Sequence, residues 1–195
     1  MSPRQNLARP MESILEVATG LFSEAGYSGT TIRDIAKGVG VLPGSLYAHI
    51  ETKEDLLLGI VEVGIDHFLE AAETIDRDAT PSDRMRMLIR AHVEVVAENP
   101  QRTLVVFHQW RYLTGANRAR ILEKRARYED IFRKIMQDGL TAGEFDSSLD
   151  PKIAVLSILG ALNWTAEWYR PDGPKSAAVV SDQIATAVLS GVLTR

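Results

Sequence analysis

Residues 27–57 read YSGTTIRDIAKGVGVLPGSLYAHIETKEDLL, two short helical segments on either side of a glycine turn, with a long helix following. Thr31 stands where its hydroxyl can cap the free N–H groups of the first segment, and Asp34 three residues on makes an imperfect capping box. Ile32, Ile35, Ala36 and Val39 fall on one helical face, and Leu46 with Ile50 returns the second segment to the same apolar centre. Gly40 permits a left-handed turn between them, and Pro43 suits a first helical turn. This is the layout of a helix-turn-helix, whose short second helix fits the major groove while backbone donors hold phosphates. Ser45, Tyr47, Ala48 and His49 are expected on the exposed side of that helix. Thr31 and Lys53, each beside a helix start, are expected to hold phosphate.

Outward from this stretch the period stays helical. A helix over about 10–25 places Ile14, Ala18, Leu21 and Phe22 on one face and stops at Gly26. Thr52 caps a long helix over about 53–75, roughly 35 Å at 1.5 Å per residue, with Leu56, Ile60, Phe68, Ala72 and Ile75 on a stripe. Further helices are expected over about 81–98, 101–113, 117–142, 151–169 and 176–193, punctuated by Asn99-Pro100, Gly143 and the 170–174 loop. No stretch alternates like a half-buried strand. The fold class is therefore all-α: a three-helix helix-turn-helix domain over 1–55, a helical bundle over 56–195, and about nine helices in total.

Composition sets limits on the function. The 195 residues are 45% hydrophobic and 25% charged with a net charge of −4, which suits a globular chain with a real core. The absence of cysteine excludes thiol catalysis, thiolate metal sites and disulfides. No apolar run reaches the roughly 20 residues of a membrane span, and residues 1–10 lack the apolar stretch of a secretory leader, so a cytoplasmic protein without a membrane partner is expected. Residues 1–53 carry five basic and five acidic groups, which leaves the acidic excess in the remainder. Between Ile35 and Ile50 the only formal charge is Lys37, so nothing on the second segment repels phosphate.

In order and spacing, Ala18, Phe22, Gly26, Thr30-Thr31, Asp34-Ile35-Ala36, Gly40-Val41, Gly44-Ser45-Leu46-Tyr47, His49 and Lys53-Glu54 resemble the TetR family of bacterial transcriptional repressors. The likeness covers about residues 11–58. It departs at Leu42, where a Ser or Thr cap is usual, and at Ile50, usually Phe. An uncapped helix start costs ~1 kcal/mol. The resemblance implies a homodimer that sets two reading helices into a near-palindromic double-stranded operator through Thr30, Thr31, Arg33, Pro43, Gly44, Ser45, Tyr47, Ala48, His49 and Lys53. It also implies that the last two long helices form the dimer contact, here through Ile153, Leu156, Leu159, Gly160, Val180, Ile184 and Val188, and that a small effector occupies the second domain.

For the effector, aromatic and basic residues of the second half are the candidates: Phe68, Leu88, His92, Phe107, His108, Trp110, Arg111, Tyr128, Trp164 and Trp168. Residues 102–134 hold nine basic and three acidic side chains, which either meet an anionic ligand or form a basic helix face paired with acidic neighbours. The Trp168–Pro174 stretch resembles regulators of fatty-acid and steroid catabolism that respond to acyl-CoA thioesters, which makes acyl-CoA the leading effector. Neither a cofactor nor catalysis is expected. The alternative is a helical-bundle enzyme or metal protein built on Asp66, His67, Glu70 and His92, though no His-Glu-x-x-His pattern or phosphate-binding glycine loop occurs.

Overall fold

The computed structural model describes residues 3–193, with side chains from residue 11 onward. Among the described residues the helices are α1 (Pro3–Glu24), α2 (Gly26–Gly29), α3 (Ile32–Val39), α4 (Pro43–Leu46), α5 (Lys53–Glu73), α6 (Pro81–Glu98), α7 (Pro100–His108), α8 (Gly115–Ala142), α9 (Pro151–Trp168) and α10 (Ala177–Leu189). A 3-10 turn at Trp110–Tyr112 ends the helix expected over 101–113 early. The extra element is α2, a single turn that starts where Gly26, at φ 76°, ends α1.

Local chemistry explains the helix starts. At α3 the Thr31 hydroxyl accepts from the Asp34 amide at 3.2 Å, and the Asp34 carboxylate accepts from the Thr31 amide at 2.8 Å, closing the capping box. Thr80, Asp150 and Ser176 likewise cap α6, α9 and α10 through side-chain oxygens that accept from first-turn amides. Gly40 sits at φ 79°, so its left-handed backbone turns the chain from α3 toward α4.

Two compact units emerge, and they do not follow the division at residue 55. The first is the chain up to Gly64 together with Gln101–Ile121; the second is Ile65–Pro100 with the chain from Leu122 onward. The first unit packs Ile14, Ala18 and Phe22 of α1 with Ile35 and Ala36 of α3, Leu46 of α4, Ile50, and Leu56, Leu57 and Ile60 of α5, all buried. Gly64 lets α5 and α7 approach closely, because a Cβ there would stand 2.3 Å from the Val106 side chain. The second unit buries Met85, Leu88, Ile89 and Val93 of α6 with Phe132 and Met136 of α8, Val155, Ile158 and Leu162 of α9, and Val180, Ala185 and Leu189 of α10.

Candidate nucleic-acid interface and effector wall

Leu46 is the anchor of the reading helix. Its burial in the first unit turns Pro43, Gly44, Ser45, Tyr47 and Ala48 outward and leaves His49 half-buried. Tyr47 is 57% exposed. Pro43 and Tyr47 share a surface notch with Thr31, Ile32 and Arg33, so the start of α3 and the exposed side of α4 lie together. Leu42, the N-cap of α4, makes no side-chain bond to the helix start, in line with its departure from the family pattern.

Two of the expected contacts take on other work. Thr30 is 2% exposed, and its hydroxyl donates to the Gly26 carbonyl at 2.9 Å. This corrects its assignment as a DNA contact, since its side chain faces the interior. Lys53 donates to the carbonyls of Tyr27 and Thr30 at 2.7 and 2.8 Å and lies 4.1 Å over the Tyr27 ring. Two of its three N–H donors therefore close the end of α2. Thr31 is exposed, yet its hydroxyl donates to Asp34 at 2.6 Å, and that bond holds the Asp34 carboxyl below its usual range.

The first unit also ties the reading head to residues from the middle of the chain. Gln109 accepts from the Tyr27 amide at 3.0 Å, Ser28 meets the Tyr112 hydroxyl at 3.0 Å, and the Tyr27 and Tyr112 rings lie 5.4 Å apart. Glu54 accepts from Asn117 at 2.9 Å and from the Thr114 amide at 3.1 Å; these bonds hold its carboxyl below the usual range. Sequence reasoning misses this group, because the partners stand some 60 to 84 positions apart.

In the second unit, Phe68 of α5, His92 of α6 and Tyr128 of α8 meet. The His92 ring lies 4.6 Å from that of Phe68, and its Nδ1 is 3.1 Å from the Tyr128 hydroxyl. Phe132, one turn beyond Tyr128, packs edge-on against it at 5.4 Å. The sequence candidates omit Phe132, although the i, i+4 spacing on α8 points to it. Leu88 is buried one turn before His92. Burial drives the His92 pKa down to about 3 and raises that of Tyr128, so the wall is polar but neutral at pH 7.

A pH dependence follows. Unfolding returns His92 to an ordinary value near 6.5, so between about pH 6.5 and 3 the unfolded chain binds the extra proton. This contribution is complete above pH 6.5 and is lost as pH falls, at up to about 1.4 kcal/mol per unit. His92→Phe is expected to flatten the stability profile by that slope in chemical-denaturation titrations. A profile parallel to the wild type would refute the assignment.

The other effector candidates lie elsewhere in the chain. Phe107, His108, Trp110 and Arg111 belong to the first unit, where the Arg111 and Arg118 guanidinium groups stand 5.3 and 5.8 Å from the Trp110 ring. Trp164 and Trp168 are 63% and 47% exposed, which corrects their assignment to a chamber. They continue the outward stripe of Ile153, Leu156 and Gly160 along α9 at spacings of three and four residues. Leu159, Ile184 and Val188 are half-buried, whereas Val180 is buried in the core of its own unit, a correction to its interface assignment.

Four of the nine basic residues of the 102–134 segment are paired with acids. Arg120 meets Glu62, Lys124 takes both oxygens of Asp66 at 2.6 and 2.7 Å, and Arg133 and Lys134 share Asp130. At these four residues the pairs match the paired helix face. The same Lys124 bonds occupy the Asp66 carboxylate of the metal quartet considered as an alternative. Among the described residues no group of three or more acidic or histidine side chains is placed to hold a metal ion, and no helix is long and apolar enough to cross a membrane.

Known proteins share both halves of this arrangement. Residues 14–60 match the model for bacterial regulatory proteins of the tetR family, and residues 78–192 match that for the tetracyclin repressor-like C-terminal domain. The chain is 29% identical to the HTH-type transcriptional repressor KstR2 of Mycobacterium tuberculosis, over 92% of this chain and 90% of that protein. The solved structure of that ketosteroid regulator matches with a TM-score of 0.88 at 27% identity, covering 95% of each chain. The fatty acid metabolism regulator protein of Bacillus subtilis is 26% identical over 92% of this chain and 93% of its own. AibR, solved in complex with isovaleryl coenzyme A and operator DNA, matches with a TM-score of 0.80 at 28% identity over 91% of this chain and 97% of its own.

Proposed function

We propose that this chain, which belongs to the TetR family of bacterial regulatory proteins, acts in the cytoplasm as a homodimeric repressor that leaves its operator when an acyl-CoA thioester binds. The observation that carries the reading is the exposed face of α4, held outward by buried Leu46, in a chain similar along nearly its whole length to KstR2 and AibR. The 1–55 region serves as reader. Its contacts are Thr31, Arg33, Pro43, Gly44, Ser45, Tyr47, Ala48 and His49, with the remaining N–H of Lys53 for phosphate. The 56–195 region serves effector and dimer.

Two copies pair through the outward stripe of α9, with Ile153, Leu156, Gly160, Trp164 and Trp168 covering their counterparts and Leu159, Ile184 and Val188 at the margin. Support comes from the exposure of this apolar stripe and from the open space at Gly160, where a Cβ would meet nothing within 4 Å. Phe68, Leu88, His92, Tyr128 and Phe132 face the acyl part of the effector. Their neutral His–Tyr pair suits a thioester carbonyl better than a charge. Release is a population shift: the effector favours the conformation whose reading heads are wrongly spaced, and it acts only through that difference in affinity. Transmission runs along α5 and α8, the helices that both units share. No catalytic step forms part of this reading.

A series of acyl-CoAs should raise the melting temperature for one range of chain lengths, by roughly 5–10 °C at a hundredfold excess over Kd. The same compounds should dissolve the complex with the DNA upstream of its own gene, while free CoA should not. Melting that is unchanged across the whole series, with the DNA complex intact, would discard acyl-CoA as effector.

A further inference from the structure

The reading face carries apolar side chains where a helix start ordinarily offers a hydroxyl. Leu42 caps α4 without any side-chain bond and is 76% exposed, the highest value among the large hydrophobic side chains described. Val41 before it and Pro43 after it are exposed as well, so three successive apolar residues form one edge of the reading helix. Beyond them Gly44 adds no side chain, and a Cβ there would meet nothing within 4 Å, so the edge is open to a partner. No formal charge lies between Lys37 and Glu51. A surface of this kind has little to offer the donors and acceptors of base edges. One apolar group does project into the major groove, the C5 methyl of thymine.

We propose that Leu42, flanked by Pro43, packs on a thymine methyl in each half-site and selects thymine at that position. The inference rests on the reading of α4 as the helix that enters DNA. It also gives a physical reason for a leucine at a helix start: the cap is given up for a contact that a serine or threonine could not make as well.

The test uses the full-length protein and the duplex it binds best in selection from a random pool. Each thymine is replaced in turn by deoxyuridine, which removes the methyl and nothing else. At one position per half-site the wild type should bind about fourfold more weakly, and about fifteenfold when both half-sites are changed, as expected for one buried methyl each. Leu42→Ala should bind the thymine and uracil duplexes equally. Leu42→Ser, which supplies a capping hydroxyl, should show the same indifference and reports the effect if the alanine variant binds too weakly to measure. The proposal is overturned if no thymine matters to the wild type, or if the same thymine matters equally to both variants. A wild type that prefers no duplex over scrambled competitor overturns the DNA-reading assignment and takes this inference with it, a result distinct from the other two.

Discussion

Gly139→Ala should lower stability by roughly 2 kcal/mol, and removing the ring it strikes should abolish that penalty. Gly139 lies inside α8, where alanine would ordinarily gain about 1 kcal/mol of helix propensity. Here an added Cβ would stand 2.2, 2.4 and 2.8 Å from three ring carbons of Phe145. That ring is 1% exposed, and its residue is held by a backbone bridge to Leu193 and by its own amide, which donates to the Gly139 carbonyl, so it has little room to withdraw. Overpacking of this severity costs about 3 kcal/mol, which outweighs the propensity gain. Phe145→Ala alone should cost about 3–5 kcal/mol through the cavity it leaves. In the double variant the new methyl enters that cavity, so the pair should be no less stable than Phe145→Ala, a coupling of at least about 2 kcal/mol. Urea unfolding at fixed protomer concentration measures all three. Costs that add to within about 0.5 kcal/mol would show that the two residues do not meet as described.

What the sequence reveals and what it hides divide along the range of the interactions. Capping is chemistry between residues two or three apart, so the helix starts at Thr31, Thr80, Asp150 and Ser176 are legible from spacing alone. The left-handed turn at Gly40 and the buried positions Ile35, Leu46 and Ile50 follow from the same local rules. Helix α9 marks the limit of periodicity. Ala154, Val155, Ile158, Leu162 and Ala166 are buried on one side, while Ile153, Leu156, Trp164 and Trp168 are apolar on the other. A helix apolar on both sides does not state which side meets its own chain, and for that reason the pattern alone turns the tryptophans inward. Local rules also do not show the bonds of Thr30 and Lys53, because their partners, Gly26 and the carbonyl pair of Tyr27 and Thr30, lie in or beside the one-turn helix α2, which propensity does not foresee. The grouping of Gln109, Tyr112 and Thr114 with the reading head rests on bonds to Tyr27, Ser28 and Glu54 that no local window contains.

Tyr47→Ala should reduce operator affinity by about a thousandfold while leaving the folded dimer intact. The two halves of this expectation have separate causes. Tyr47 is 57% exposed at the end of α4, and the core of the head is made by Leu46 and Ile50 on either side of it, so truncation removes little that stabilises the fold. Melting within about 2 °C of the wild type is expected, as for a surface substitution below about 0.5 kcal/mol. At a DNA interface the same ring is large, rigid and amphipathic, and loss of such an anchor typically costs about 2 kcal/mol. A dimer loses two of them, about 4 kcal/mol together, or roughly a thousandfold. Tyr47→Phe separates hydroxyl from ring: if the hydroxyl donates to a phosphate, phenylalanine should lose most of that affinity; if the ring packs on bases or sugars, little. Neither variant removes a charge, so the slope of log affinity against log salt should stay that of the wild type. Arg33→Ala, which removes one cation per protomer, should instead lower the slope by about 2 if both arginines meet phosphate. Mobility shifts across a salt series, with native mass as the check on the dimer, give all of these quantities. Operator affinity within about twofold of the wild type in Tyr47→Ala would mean that the exposed side of α4 does not read DNA through this residue.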